Sequence, residues 1–380
     1  MICSAVGDSV DRLWDVLVVG AGVAGAMAAW GAAREGKSVL LLDKAHFPRG
    51  KACGCCLNHT AVTILDQAKF NFRRLGAIPL DHLDLSCAGT RASLPIPGGL
   101  AVGRDVLDTA LVEHAVNAGA IFLPGAIVED TQLHGACRWV RVLEDGLPMQ
   151  VRAKIILVAD GLAGRLLRAE NSARVASDSR IGVAGTAEYS GSDYAPGTIY
   201  MACAKDGYVG LVRLDGNKIH LAAALQSHGV KKSRGTAAAV AEIIRAAGLT
   251  VPQGLATCRW YGAPALTRHR SRVAEERLFI LGDAAGYVEP FSGEGMAWAL
   301  AAARDVIPLV VRASQKWSYD LADQWQRRQR DVMESRHRVC RAMTLMLRHQ
   351  GVTHWAVRAL QIAPGLARPL MRFINRPIVN

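Results

Sequence analysis

Aromatic residues are scarce in this 380-residue chain, at 6%, and charged residues supply only 21% against 51% apolar. So little charge excludes wholesale disorder and suits a globular protein with buried cores. Complete disulfide pairing is excluded by the odd count of nine cysteines, three of which crowd into Cys53-Gly54-Cys55-Cys56. A small disulfide scaffold is therefore ruled out, and a reducing compartment is expected. Between Met1 and Asp15 there is no basic stretch leading into an apolar one, as a secretion signal would need, so a cytoplasmic location is the expectation. Tandem repeats and low-complexity stretches are lacking too. At roughly 150 residues per domain the length predicts two or three lobes, each with its own core.

One charge-free run is present, Val16 to Ala33, eighteen residues long and so of a length to suggest a membrane span. Its glycines argue otherwise. Gly20, Gly22 and Gly25 form G-x-G-x-x-G directly after the β-branched run Asp15 to Val19 and before an Ala-rich stretch stopped by Gly36. The pattern predicts strand, tight turn and helix. Gly20 permits the turn, Gly22 lets backbone approach a pyrophosphate, and Gly25 lets the helix pack close on the strand. A second strand, Ser38 to Leu42, ends at Asp43, eighteen positions after Gly25. A carboxylate there accepts hydrogen bonds from an adenosine ribose and fits a 2′-hydroxyl, not a 2′-phosphate. This unit predicts a dinucleotide and leaves NAD and FAD both open.

A later segment bears on that choice. Arg277 to Leu281 reads as a buried strand running into Gly282-Asp283-Ala284-Ala285-Gly286, followed by Gly293-Glu294-Gly295-Met296 and a mostly apolar helix to about Val311. The segment GDAAGYVEPFSGEGM resembles the second flavin motif of the para-hydroxybenzoate-hydroxylase-like flavoproteins, and its GDAAG…P…GEG form is most similar to geranylgeranyl reductases. The resemblance implies FAD, with Asp283 on the ribityl hydroxyls and Gly293 to Met296 along the pyrimidine edge of the ring. A helix N-terminus there would stabilise the negative charge of reduced flavin. It also covers Asp160, in Ile155 to Gly161, where the family has D-G-x-x-S-x-x-R; here Gly164 replaces the Ser and Leu167 the Arg, with Arg165 and Arg168 alongside. An ordinary Asp-Gly turn competes with that role. Arg104, ahead of a helix from Asp105 to Gly119, matches the family's cofactor arginine, with a solvated arginine as the alternative. No second glycine fingerprint follows, so NAD(P)H is expected only as a transient reductant.

The cysteine cluster invites a metal, but C-x-C-C cannot by itself place four tetrahedral ligands, and neither a later C-x-x-C nor a nearby His pair completes a set; no metal is expected. The stretch Pro48 to Leu57 is similar to the reductase signature P-x-x-K-x-C-G-G-G-L, which places Lys51 at the cofactor and Cys53 beside the ring as proton donor or packing. Cys55 and Cys56 stand where that signature has glycines. Their bulk weighs against an isoprenoid-sized tunnel. Three inert buried thiols are the alternative.

From Asp178 to Gln226 short stretches with partial alternation, 181–189, 198–203, 208–214 and 218–225, predict an antiparallel sheet flooring a substrate cavity, with Asp215-Gly216 as a hairpin and a helix from about Gly235 to Ala247. Gly207-Tyr208 resembles the family's substrate segment, with Gly210 in place of its Trp. The expected architecture is α/β: a discontinuous Rossmann-like FAD-binding domain (12–175 and 269–316), an antiparallel β-sheet substrate domain (176–268) and C-terminal helices (317–380). Between Trp317 and Asn380 eleven arginines face four acids, more than half of the chain's net +12. This basic apolar tail can lie on an anionic membrane surface, receive an acidic carrier protein, or pack on the catalytic lobe. Without a reading module, positive charge gives no reason to expect nucleic acid.

The resemblance implies an FAD-dependent oxidoreductase acting on a small apolar, isoprenoid or polyketide-like substrate, in first place a double-bond reductase using flavin hydride. An NAD(P)H-dependent monooxygenase of an aromatic or carrier-bound substrate is the alternative, and a flavoprotein modifying a partner protein is a third. The absence of a W-x-W-x-I-P segment disfavours a halogenase.

Overall fold

The computed structural model describes residues 12–164, 166, 173–233, 235–289, 291–376 and 378. The charge-free run is not one span: Leu13–Val19 is a strand, Val23–Arg34 a helix, and the glycine turn divides them. No described helix is long and apolar enough to cross a membrane. Five strands of an eight-stranded sheet run parallel, in the order Leu278–Ile280, Leu147–Val158, Leu13–Val19, Val39–Leu42, Ile121–Leu123. The strands Leu13–Val19, Val39–Leu42 and Leu278–Ile280 are near-continuous apolar runs, as a sheet covered on both faces requires. The helices Val23–Arg34, Arg104–Asn117 and Gly295–Gln315 pack together in this domain. Register decides where a ligand can sit: Val19 pairs with Val158 and with Leu42, and Val158 with Ile280. The carboxyl ends of three strands far apart in sequence are thereby level, at the edge where open α/β sheets bind ligands.

The second sheet runs Arg259–Ala265, Ile181–Glu188, Lys218–Leu225, Gly207–Leu214, Thr198–Ala204, Ile78–Cys87, Thr90–Ala101, Cys56–Asn58. All its neighbours are antiparallel except Thr198–Ala204 with Ile78–Cys87. The four strands expected between 181 and 225 are present, with the hairpin at Asp215-Gly216. The expected boundary at 175 needs a correction, because Cys56–Asn58 and 78–101 lie in this floor sheet and not in the dinucleotide half. Chain order hid this, since a hairpin inserted between two Rossmann elements has no composition signal of its own. A separate core under the floor packs the helix Thr236–Ala246 through Val240, Ile243 and Ile244.

The C-terminal region forms Tyr319–Met346, Gln350–Ile362 and Arg368–Ile374. Fully buried Trp325 anchors the first of these by donating its indole N–H to the Ile280 carbonyl at 3.1 Å. His337 stacks edge-on to Trp298 of the helix Gly295–Gln315, ring centres 5.3 Å apart.

Two outcomes follow. A Cβ at Gly25 would lie 1.8 Å from the Gly20 carbonyl oxygen, whereas at Gly262 it meets nothing within 4 Å. Gly25→Ala should cost about 3 kcal/mol or prevent folding, and Gly262→Ala about 0.5 kcal/mol or less, read by urea denaturation. Burial, then Arg341 and His269, lowers the His337 pKa from 6.5 to about 4. Between those values the unfolded chain binds the proton and the folded chain does not, so stability falls as pH drops from 6.5 to 4. In His337→Phe, denaturation midpoints at pH 5 and pH 7 should lie closer together than in the parent.

Candidate functional site

The three level strand ends open into a cavity of about 300 Å³ that reaches the floor sheet. At one end stands Gly22. A Cβ there would come within 3.7 Å of Lys51 Nζ, 3.8 Å of Arg49 Nη2 and 3.9 Å of Arg104 Nη2. Arg104 is held by Asp108 through two hydrogen bonds of 2.9 and 2.8 Å, and Arg49 reaches Asp108 at 3.2 Å and Asp43 at 3.4 Å. Burial and the Arg104 guanidinium push the Lys51 ammonium below its ordinary pKa. Three cationic heads around a bare glycine at a helix N-terminus favour a dianion, and a diphosphate has the right charge and size. Asp43 closes the turn by accepting from Ala21 N at 2.8 Å and Ala45 N at 2.9 Å.

Along the cavity Gly282 and Asp283 stand at one strand end, followed by Gly293, Gly295 and Met296. The helix Gly295–Gln315 begins with no side-chain cap, leaving its first N–H groups for an acceptor in the cavity. Glu294 turns away from solvent and is fully buried. Its carboxylate accepts from Arg336 of the long C-terminal helix and from Ser292 Oγ at 2.8 Å. Burial raises its pKa. Arg336 also donates to the Ile374 and Arg376 carbonyls at 3.3 and 2.7 Å. One guanidinium therefore ties the start of the helix Gly295–Gln315 to the end of Arg368–Ile374, and Leu370, Met371 and Ile374 of that helix roof the cavity.

Cys53 lines the cavity. Its carbonyl is 2.7 Å from His220 Nε2, and His220 Nδ1 is 2.9 Å from Thr186 Oγ1, so the floor sheet holds the cysteine loop. Burial lowers the His220 pKa and keeps the ring neutral. Cys55 has φ +57°, a conformation that favours glycine, and burial pushes its thiol up to about 12. Cys56 borders the cavity. No group of side chains among the described residues could hold a metal ion.

Of the residues singled out in the sequence, Gly22, Lys51, Cys53, Arg104, Gly282, Asp283, Gly293, Gly295 and Met296 line this one cavity. Gly20 and Gly25 shape the turn behind it. Asp160 does not line it: its half-buried carboxylate folds back over position 164, where a Cβ would meet it at 2.1 Å, so a serine there would have no room. The flanking positions 165, 167 and 168 lie outside the described residues. Arg49, His220 and Arg336 were given no role in the sequence reading, and Glu294 was placed only within the Gly293 to Met296 stretch, without its ion pair.

The family described as FAD binding domain matches residues 14–336, and the chain belongs to that family. It is 38% identical over 172 residues to the menaquinone reductase of Mycobacterium tuberculosis (strain CDC 1551 / Oshkosh), covering 42% of this chain and 40% of that one. It is 25% identical over 310 residues to the digeranylgeranylglycerophospholipid reductase of Methanoculleus marisnigri, 77% of this chain and 75% of that protein. The chain thus spans less than half of the first relative. A triple mutant of the flavin-dependent brominase Bmp2 superposes with a TM-score of 0.80 over 95% of this chain and 94% of its own at 16% identity, a likeness of fold. The cation cradle and the uncapped helix fit the FAD that this family binds.

Arg336→Met would strand a buried carboxylate and should cost about 3–5 kcal/mol. Pairing it with Glu294→Gln should restore part of that loss, as a double-mutant cycle by urea denaturation would measure.

Proposed function

We propose that this flavoprotein takes a compact apolar or aromatic substrate and oxygenates it with NAD(P)H as a reductant that visits and leaves. The observation that carries this reading is the size and lining of the cavity. Its volume of about 300 Å³ is at the low end for ligand pockets and is shared with the flavin ring, so little length remains for a long isoprenoid chain. Met201, Val183, Ala222 and Val212 of the floor and Met371 and Ile374 of the roof make the substrate side apolar. Gly210, where a bulky residue was the family expectation, lines the floor, and the space beside it is taken by Met201, whose Sδ a Cβ there would meet at 3.1 Å.

Bound FAD supplies the electrons, by hydride or by reaction with O₂. The chain's own residues then have separable tasks. Lys51, Arg49 and Arg104 would hold the diphosphate over Gly22, Asp43 the adenosine ribose, and Asp283 the ribityl chain. The first N–H groups after Glu294 would face the pyrimidine edge. The roof would exclude water, and Cys53 would offer a proton at its thiol, in a loop whose carbonyl His220 holds. Double-bond reduction is the second reading, favoured by Cys53 lining the cavity and by the reductases among the sequence relatives.

Two measurements test this. The purified protein should carry FAD absorbance, and Asp283→Ala should weaken FAD binding at least about tenfold; a folded parent that stays colourless with added FAD overturns the flavin assignment. With ¹⁸O₂ and NAD(P)H, one labelled oxygen should enter an aromatic product. A product that gains two hydrogens under anaerobic conditions, and carries no label when formed under ¹⁸O₂, replaces oxygenation by reduction.

A further inference from the structure

The C-terminal helix Gln350–Ile362 is amphipathic in an unusual sense: both of its opposite sides are apolar. Its inner side is accounted for. Thr353 and Val357 are buried and Leu360 is half-buried against the outer strands of the floor, Ile78–Cys87 and Thr90–Ala101. Its outer side is not. Val352, Trp355, Ala359 and Ile362 recur at intervals of three, four and three, which places them on one face of a helix, about half a turn from Val357. Trp355 is 67% exposed and Ile362 77%, and Leu366 in the turn that follows is 63% exposed. A row of large apolar residues in water, one of them a tryptophan, is the composition of an interaction surface and not of a solvated face.

Charge says what covers it. From Ser335 to Asn380 the chain holds eight arginines and not one aspartate or glutamate. Arg336 is neutralised by Glu294 and Arg348 by Asp178. The other six are exposed. Arg358 lies against the Trp355 ring, its guanidinium carbon 5.8 Å from the ring centre, and Arg368 and Arg372 follow Leu366 directly. An apolar row with an interfacial tryptophan, bordered by arginines and lacking any acid, has the makings of a helix that lies in the headgroup region of an anionic bilayer. An acidic protein would satisfy the arginines but would leave Ile362 and Leu366 without a reason to be apolar.

We infer that the face formed by Val352, Trp355, Ile362 and Leu366 with its flanking arginines docks this protein on an anionic lipid bilayer. The same segment continues within eight residues to Leu370, Met371 and Ile374 of the cavity roof. Docking therefore sets the roof beside the lipid phase, from which an apolar substrate can pass. That last clause rests on the proposed apolar substrate; the docking does not.

The test is sedimentation of the full flavin-loaded chain with phosphatidylcholine vesicles and with vesicles containing about one-third phosphatidylglycerol. Expected is binding to the anionic vesicles at least about tenfold stronger than to the neutral ones. Trp355→Ala with Ile362→Ala and Leu366→Ala should lower it at least about tenfold, at unchanged flavin spectrum and melting temperature. Arg358→Ala with Arg368→Ala and Arg372→Ala should remove the preference for anionic lipid. Docking is overturned by equal binding to both vesicles, or by undiminished binding of the apolar triple variant. It is equally overturned by no vesicle binding where the face instead makes a dimer, or salt-sensitively holds a purified acidic carrier domain. Turnover enters none of these readings, so the flavin spectrum reports separately on the catalytic assignment.

Discussion

Everything in the cofactor half depends on a contact that only hydrogen atoms can make. The backbone of Gly25 meets the Gly20 carbonyl so closely that a methyl group has no place, and a Cβ on Gly20 would sit 2.4 Å from the Ala159 carbonyl oxygen. This closeness lets the first helix start directly beneath the ends of the strands Leu13–Val19 and Leu147–Val158. The helix N-terminus then points at Gly22, and the cations of Arg49, Lys51 and Arg104 gather where its dipole also favours an anion. Helix position and anion cradle are thus one result of the same missing side chains.

The substrate side is assembled on a different principle, by ties between distant segments. His220 of the floor holds the Cys53 carbonyl, and Cys56–Asn58 joins the floor as its edge strand. Arg336 reaches from the long C-terminal helix to Glu294 and to the carbonyls of the last turn. A buried ion pair contributes little net stability compared with an apolar pair of the same shape, but losing one partner is costly. Its consequence here is registry: one guanidinium fixes how the roof, the helix Gly295–Gln315 and the long C-terminal helix meet.

Much of this was legible in the chain. The glycine unit, Asp43 and the Asp283 motif were each marked by residue types that their positions demand. The floor strands between 181 and 225 were marked by alternation and by Asp215-Gly216. The hairpin 78–101 was not, because Pro79, Pro95 and Pro97 and exposed polar residues break its alternation. Asp160 was legible as a strand-ending acid, yet its carboxylate turns back over Gly164. The substitution of Ser by Gly at that position was the available sign.

Sequence alone therefore determined the class of cofactor, since a backbone that must approach phosphate closely can be built from few residue types and those leave a fixed spacing. It also determined the excess of arginine at the C-terminus. Which residues complete the cradle, which carboxylate faces the cavity, and which side of the final helices stays apolar and uncovered were decided only by tertiary structure. Those outcomes depend on the meeting of segments distant in the sequence, and such meeting follows from packing and register rather than from any local pattern.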